Sequence, residues 1–546
     1  MKNSLQISFT VSWLLLCLPF ELKAQTPFSS ADSLDINNIK TWQLVHGDMW
    51  NDPNSANSRC EFPKGSGKNL AYSASLWFSG FDDQSQLRVS AQTYRDAGID
   101  FWPGPLDIGL PISYAESEKW AKLWKLDRWE LEAFLNTSVH TLANTPTAIL
   151  QWPARGNSYA TGHNGSLLNL QNRPYAPFVD VDMDGIYNAL NGDYPAIKGD
   201  QAIWFIYNDH GPTHNVTDGL PLELELVCMA YAYKRNSLID NVIFYEYQIT
   251  NKNQSDIDSF VIGMFGDLDL GYSHDDFFGY DSTRNMGIVY NGDPTDGVPG
   301  TGYYLDTIPQ AAIRIMRFPG DTCGNVSSAG SFLFYSNGFD PRIGDATNDT
   351  QFNYYMRARW RDGSHLKDFP NNNDIRFLSP DDPSIPGGWS ECAAGTPPWD
   401  RRIVLSSQPF QFTSGSTINY AFALVATPPK AHNGCPNATF ADVRAISDTA
   451  QAIFCNPLPI QTSVQELTAR KLSMYPNPAD KTIMIECDAC HEFEIDVFDM
   501  TGRRIEVTET TGGREVSLDV STLSRGVYHV IFRSESDVMS GKFIKR

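Results

Sequence analysis

The residues of this chain best suited to chemistry are carboxylates. Asp180-Val181-Asp182-Met183-Asp184-Gly185-Ile186-Tyr187-Asn188 places acids at the first, third and fifth positions of a short run and glycine at the sixth. Alternate side chains of a tight loop point inward, so three hard oxygen donors converge, and glycine lets the chain turn; the pattern suits Ca2+. Ile186 would add its carbonyl oxygen, and Asn188 would bind directly or through water. The twelfth position is Asn191, where a helix-flanked calcium loop carries a bidentate glutamate, and Asp193 follows two residues on. Pro174 and Pro177 argue against a helix leading into the loop. The competing reading is a solvated aspartate-rich turn.

A second acidic group is Asp267, Asp269, Asp275, Asp276 and Asp281, with His274 among them. Asp267 and Asp269 share one face of a strand end, because side chains at i and i+2 point the same way. Carboxylates so close repel unless a cation, Arg284 or protonation relieves them. Three readings stand: a second calcium site, an acid pair of the glycosidase kind, or a polar loop. His210 and His214 have helical spacing, but Gly211-Pro212 interrupts them and no Glu adjoins His210, so a surface loop is expected. There is no Gly-x-Ser-x-Gly elbow, and Lys64-Gly65-Ser66-Gly67-Lys68-Asn69 lacks the first Gly and closing Ser/Thr of a phosphate loop. Trp77, Trp102 and Trp389 would stack on sugars if exposed, although most Trp of a β protein are core.

The elements that must position these groups are mainly strands. The chain has 546 residues, 41% of them apolar and 19% charged, which is ample for a packed core. Its length suggests about three domains. The net charge of −22 argues against nucleic acid and anionic membrane surfaces as partners. Ser73–Phe78, Leu87–Ala91, Ala202–Tyr207 and Leu222–Tyr233 read as strands. Asn241–Thr250 sets Ile243, Tyr245, Tyr247 and Ile249 on one face, and across the polar turn 251–256 the segment Ile257–Phe265 returns, which predicts a hairpin. Thr417–Ala426 closes the series. Residues 114–135 predict one amphipathic helix or two short ones, and Ala438–Phe454 another helix. The expectation is an antiparallel β-sandwich protein with few helices: an N-terminal β-rich region over 25–200, a sandwich over 201–455, a linker over 456–472 and a small β-sandwich over 473–546.

At the N-terminus, Lys2, the apolar run Ile7–Leu18 and Leu22-Lys23-Ala24 have the layout of a signal peptide over residues 1–24, implying export. The run is too short to span a membrane, and no later stretch is long and apolar enough to do so. Beyond Cys17, the cysteines Cys60, Cys228, Cys323, Cys392, Cys435, Cys455, Cys487 and Cys490 permit disulfides. The expected pairs are Cys435 with Cys455, which flank the last helix, and Cys487 with Cys490.

The C-terminal residues carry a resemblance. Tyr475-Pro476-Asn477-Pro478, then Val497-Phe498-Asp499-Met500-Thr501-Gly502-Arg503, then Leu518–Tyr528 with Ser524-Arg525-Gly526, and finally Lys542-Phe543-Ile544-Lys545-Arg546 run in order and spacing. This unit resembles the type A C-terminal sorting domain of the type IX (Por) secretion system, with Cys487-x-x-Cys490 as a departure. The resemblance implies an immunoglobulin-like sandwich, Sec export, recognition by the type IX machinery, and delivery to the cell surface or medium. The body is similar to uncharacterised passengers of that route through Ser75–Gly80, Ala91–Arg95, Asp100–Asp107 and Asp267–Met286, a likeness that supplies an address and no activity. The aspartate loop is similar to the calcium loops of thrombospondin type-3 repeats. The expected function is a secreted or surface protein stabilised by Ca2+, with a structural, adhesive or glycan-binding role and a glycan or protein ligand. The alternative is an extracellular hydrolase using the acidic loop 267–281.

Overall fold

The computed structural model describes residues 30–458 and 470–546, apart from 56, 96–97, 172, 174, 299–302, 324, 369–370, 487–492, 500–502, 506, 513–514 and 535–537. The expected signal peptide, Cys487, Cys490 and Gly502 therefore lie outside the described residues. The chain divides into two units, one ending at Leu458 and the other beginning at Pro459.

The first unit is a sandwich of two antiparallel sheets. One has nine strands, in the order Trp124–Asp127, Gln201–Asn208, Leu224–Ala232, Val242–Asn251, Thr417–Ala426, Ala311–Arg317, Met286–Asn291 and Asp276–Asp281, with Trp102–Pro103 beside Gln201–Asn208. The other has six: Ser331–Ser336, Arg401–Ser406, Ile257–Asp267, Ser73–Phe81 and Leu87–Ser90, with Phe410–Phe412 also paired to Ile257–Asp267. Period-two alternation sends Ile243, Tyr245, Tyr247 and Ile249 inward to meet Leu76, Phe78, Ile262 and Met264 from the facing sheet.

The outer faces are covered too. On the nine-stranded sheet, Ala423 and Val425 share a cluster with Val443, Ile446, Ala450 and Phe454 of the helix Ala441–Cys455, and Trp204 packs against Trp124 and Trp152 of the 114–200 segment. Trp77, Phe265 and Val404 pack under the helix Asp349–Met356 through Phe352, Tyr355 and Met356. This explains the continuous apolar run Ala202–Tyr207: a strand buried on both faces has no reason to alternate. Trp77 and Trp102 are core residues with no exposed surface, so neither is free to stack on a sugar.

Strands from both sides of residue 200 share both sheets. Ser73–Phe81 pairs with Ile257–Asp267, and Trp124–Asp127 pairs with Gln201–Asn208, so the division expected at 200 falls inside the sandwich. Residues 114–135 form two short helices, Tyr114–Trp120 and Arg128–Leu135, separated by the edge strand Trp124–Asp127. The expected hairpin about residues 251–256 is not one. Val242–Asn251 and Ile257–Asp267 belong to different sheets, and the turn crosses the sandwich, tied by Asn251 Nδ2 donating to the carbonyls of Ser255 (3.3 Å) and Phe412 (2.9 Å).

The disulfides also depart from expectation: Cys455 joins Cys323 and Cys392 joins Cys435. Cys455 ends the helix Ala441–Cys455, and Cys435 precedes its start by six residues; at 1.5 Å per residue that helix is about 22 Å long and sets the two apart. Cys60 and Cys228 are free and buried.

The second unit is a smaller sandwich. Arg470–Lys471, Val538–Lys545, Gly526–Ser534, Phe493–Phe498 and Arg504–Ile505 form one sheet; Met474–Tyr475, Thr482–Glu486, Glu515–Asp519 and Thr508–Gly512 form the other. Ile483, Ile485, Val516, Leu518, Val530, Phe532 and Phe543 close its core.

Candidate functional site

The aspartate loop is closed by a short ribbon. Phe178–Val179 pairs antiparallel with Tyr194–Pro195, and the register Val179↔Tyr194 brings Asp180 and Asp193, the next residues on each strand, face to face. Met183 and Gly185 take positive φ (60° and 78°), the backbone that folds the intervening residues back between them. Asp180, Asp182 and Asp193 each offer an oxygen, and the three atoms lie within 4.8 Å of one another. No Lys or Arg among the described residues pairs with them. Asp193 is fully buried; burial pushes its carboxyl up, and the charges of Asp182 and Asp180 push it further. Asp180 Oδ2 accepts from the amide of Gly185 (2.8 Å), while its Oδ1 is buried without a partner.

The other expected ligands are placed differently. Asp184 accepts from the amide of Ile186 (2.7 Å) and stands outside the trio. Asn188 accepts from the amide of Leu190 (3.1 Å), capping the turn Ala189–Asn191, and Asn191 Nδ2 donates to Asp182 (2.9 Å). Asp193, two residues beyond the twelfth position, is the acid that joins Asp180 and Asp182.

This loop forms one wall of a groove of about 900 Å³ on the outer face of the nine-stranded sheet. The floor follows the cross-strand register. Trp204, Met229, Glu246, Ala421 and Arg317 lie in a row across five strands, and Val227, Gln248 and Asn419 form the next row. The wall comprises Tyr175, Ala176, Pro177, Phe178, Asp180, Gly185 and Ala196, with Arg155 beside it. Lys198 donates to both oxygens of Glu246 (2.7 and 2.8 Å), and Tyr231 donates to the same carboxylate (2.7 Å). No carboxylate among the described residues pairs with Arg155 or Arg317; Arg317 lies 5.0 Å over the ring of Phe454. Residues drawn from 155 to 421 build this groove, so no local spacing announces it.

The second acidic group separates into three. Asp267 and Asp269 meet Asp400, which the sequence did not point to, again within 4.8 Å. Asp267 accepts from Tyr94 Oη (2.6 Å), and Arg402 bridges Asp267 (3.3 Å) and Asp400 (2.5 Å). Burial pushes Asp267 up to about 6; Arg402 opposes that rise and Asp400 adds to it. Burial, then Asp267 and Asp400, raise Asp269 well above the usual range. Asp275 and Asp276 form a separate buried pair beside Asp296. Burial brings Asp275 to about 7, and burial followed by the charge of Asp275 raises Asp276 further. Asp281 faces elsewhere: burial pushes it up, but hydrogen bonds from Thr283 and Arg444 and the charge of Arg284 prevail and hold it low. It anchors the last helix through Arg444 (2.7 Å). Asp267 and Asp276 are each 1% exposed, which does not suit an acid pair that must reach a polymer.

A contact between Ser90, His214 and Asp100 has the composition of a nucleophilic triad. His214 Nε2 lies 3.0 Å from Ser90 Oγ, and Nδ1 lies 3.5 Å from Asp100. Ser90 is fully buried, and its hydroxyl donates to Asp209 (2.6 Å) instead of to the imidazole. The network therefore ties the 209–217 loop to the strand Leu87–Ser90, and His214 is a bonded residue where a surface loop was expected.

In the second unit the two ends of the C-terminal pattern meet. Asn477 Nδ2 donates to the carbonyl of Lys542 (2.8 Å), and the amide of Ile544 donates to Asn477 Oδ1 (3.0 Å). The amide of Arg546 donates to the carbonyl of Ala479 (3.0 Å). Tyr475 Oη donates to Glu515 (2.7 Å).

Comparison with known proteins agrees with this placement. Residues 473–546 match the family described as the secretion system C-terminal sorting domain. The chain thus carries the type IX address and is a passenger of that route, secreted to the cell surface. No helix among the described residues is long and apolar enough to cross a membrane. No curated protein matches the chain. Among solved structures a polysaccharide lyase aligns at 8% identity and a TM-score of 0.19, covering 68% of this chain; the chain spans 38% of that protein's length. A likeness at that TM-score carries no argument about fold or activity.

Proposed function

We propose that the protein is a non-enzymatic glycan-binding component of the cell surface, delivered by its sorting domain and stabilised by Ca2+ at Asp180, Asp182 and Asp193. The observation that carries the reading is the groove. It is open, floored by the amides of Gln248 and Asn419, and flanked by the rings of Tyr175 and Phe178, the mixture of flat apolar plates and hydrogen-bonding groups that holds sugar rings. Its floor is the face of central strands and not a sheet edge, so a peptide cannot dock there by adding a strand. The test is a glycan array run with the secreted protein while product release is assayed in parallel. Binding without turnover is expected. Turnover that disappears in Asp267→Asn or Asp276→Asn would instead establish a hydrolase working from the acidic loop.

Calcium fits the loop on chemical grounds. Three carboxylates crowd together with no cationic side chain opposite, one of them fully buried and one carrying an oxygen without a partner. A divalent ion supplies the missing charge, and millimolar extracellular calcium fills even a weak site. At a hundredfold excess over its dissociation constant the ion would stabilise the folded state by about 2.7 kcal/mol. Chelation is therefore expected to lower the melting temperature by several degrees, and Asp182→Ala to make the melting curve insensitive to chelator. A parent curve that chelator leaves unchanged rules the ion out. Because Asp180 and Gly185 belong to the groove wall, chelation should weaken glycan binding as well.

A further inference from the structure

We infer that the groove's ligand is an anionic polysaccharide whose acidic groups are held by Arg155 and Arg317, an assignment that rests on the glycan-binding reading above. The charge of the groove is the reason. Among its lining residues Lys198 is neutralised by Glu246 at 2.7 Å. Asp180 turns its ligating oxygen toward Asp182 and Asp193. Arg155 and Arg317 remain, and neither has a carboxylate partner among the described residues.

Unopposed arginines stand out in a chain with 64 acidic and 42 basic residues. With acidic side chains in such excess, a guanidinium left without one in a concave site is available to an anion from outside. Arg317 ends the cross-strand row that runs from Trp204 through Met229, Glu246 and Ala421, and Arg155 stands beside the facing wall. A chain of sugars lying along the groove would meet one arginine from the floor and one from the wall, with Gln248 and Asn419 beneath to bond its hydroxyls. The planar guanidinium forks match carboxylate and sulfate groups, and the rings of Tyr175 and Phe178 supply apolar contact. A nucleic acid would also offer anions, but holding one takes a cationic face that tracks many successive phosphates, and this groove offers two arginines in a chain of net charge −22.

The test is affinity electrophoresis of the full chain through gels containing polygalacturonate, its fully methyl-esterified form, or a neutral glucan. Retardation by polygalacturonate alone is expected, diminishing as salt is added. Arg155→Gln and Arg317→Gln should each weaken retardation about tenfold, as loss of a charge-assisted hydrogen bond does, and the double variant should abolish it. Neither arginine carries an ion pair, and Arg317→Gln gives up only its contact with the ring of Phe454, so both variants should stay folded, with Arg155→Gln melting as the parent and Arg317→Gln slightly lower. Equal retardation by the acidic and esterified polymers would overturn the acidic assignment and leave the glycan reading standing. Unchanged retardation of the double variant would remove the arginines from the site. Retardation by none of these polymers, with no binding on the array, would overturn both.

Discussion

A chain ending at residue 472 will accumulate in the periplasm and be absent from the cell surface. The two units make this a clean experiment. The body has its own cores between and outside its sheets, and the tail has a separate core built on Ile483, Val516, Val530 and Phe543. The clusters of the body draw on residues up to 458 alone, so the truncated protein should fold and melt cooperatively by itself. A smaller change probes the same address. Asn477 holds the start of the domain to its last strand through Lys542 and Ile544. Asn477→Ala removes both bonds and should cost the domain about 1–3 kcal/mol. Protease shaving of intact cells, with fractionation, reads both outcomes. Surface delivery of the truncated chain at the parent level would show that the tail is not the address.

Arg402→Ala should destabilise the body by about 3–5 kcal/mol, because it strands two buried carboxylates without their cation. Arg402 is 7% exposed on its side chain and contacts Asp267 and Asp400 at once. The pH dependence gives the prediction its sign. Asp267 titrates near 6 in the folded protein against 3.8 ordinarily, so the folded state binds more protons between those values and stability falls as pH rises through them. Without Arg402 the opposing charge is gone and the window extends upward. The loss measured from urea midpoints should thus be larger at pH 8 than at pH 5, and Asp267→Asn in the Arg402→Ala background should recover part of it. An equal loss at both pH values would mean that the guanidinium acts through packing alone.

Legibility in the sequence followed the range of the interactions. The strand Val242–Asn251 was readable because alternation is local: Ile243, Tyr245, Tyr247 and Ile249 face the core whatever their neighbours are. The C-terminal domain was readable because its motifs are contiguous. Pairing was not. The turn 251–256 looked like a hairpin because a corner between two sheets uses the same polar residues as a turn within one. Cys435 and Cys455 were near in sequence and are kept apart by the helix between them, whereas Cys323 and Cys455 are 132 residues apart and meet. Among the acidic groups, the loop 180–193 could be seen because a ribbon closes it locally. Asp400 could not, since it reaches Asp267 and Asp269 only when Arg401–Ser406 is laid beside Ile257–Asp267. The groove was invisible for the same reason: its arginines are 162 positions apart in the chain and share a site only through sheet register.

The two disulfides have a consequence for transit. They close segments of 132 and 43 residues inside the body, and cross-links of this kind form in oxidising compartments such as the periplasm. Once they are made, the polypeptide can no longer be threaded end to end through a narrow aperture. A compact body of this length has a radius of gyration of about 22 Å. A solid sphere of that radius of gyration is about 57 Å across, so the conduit that passes it across the outer membrane must open about that wide and handle its cargo as a finished solid.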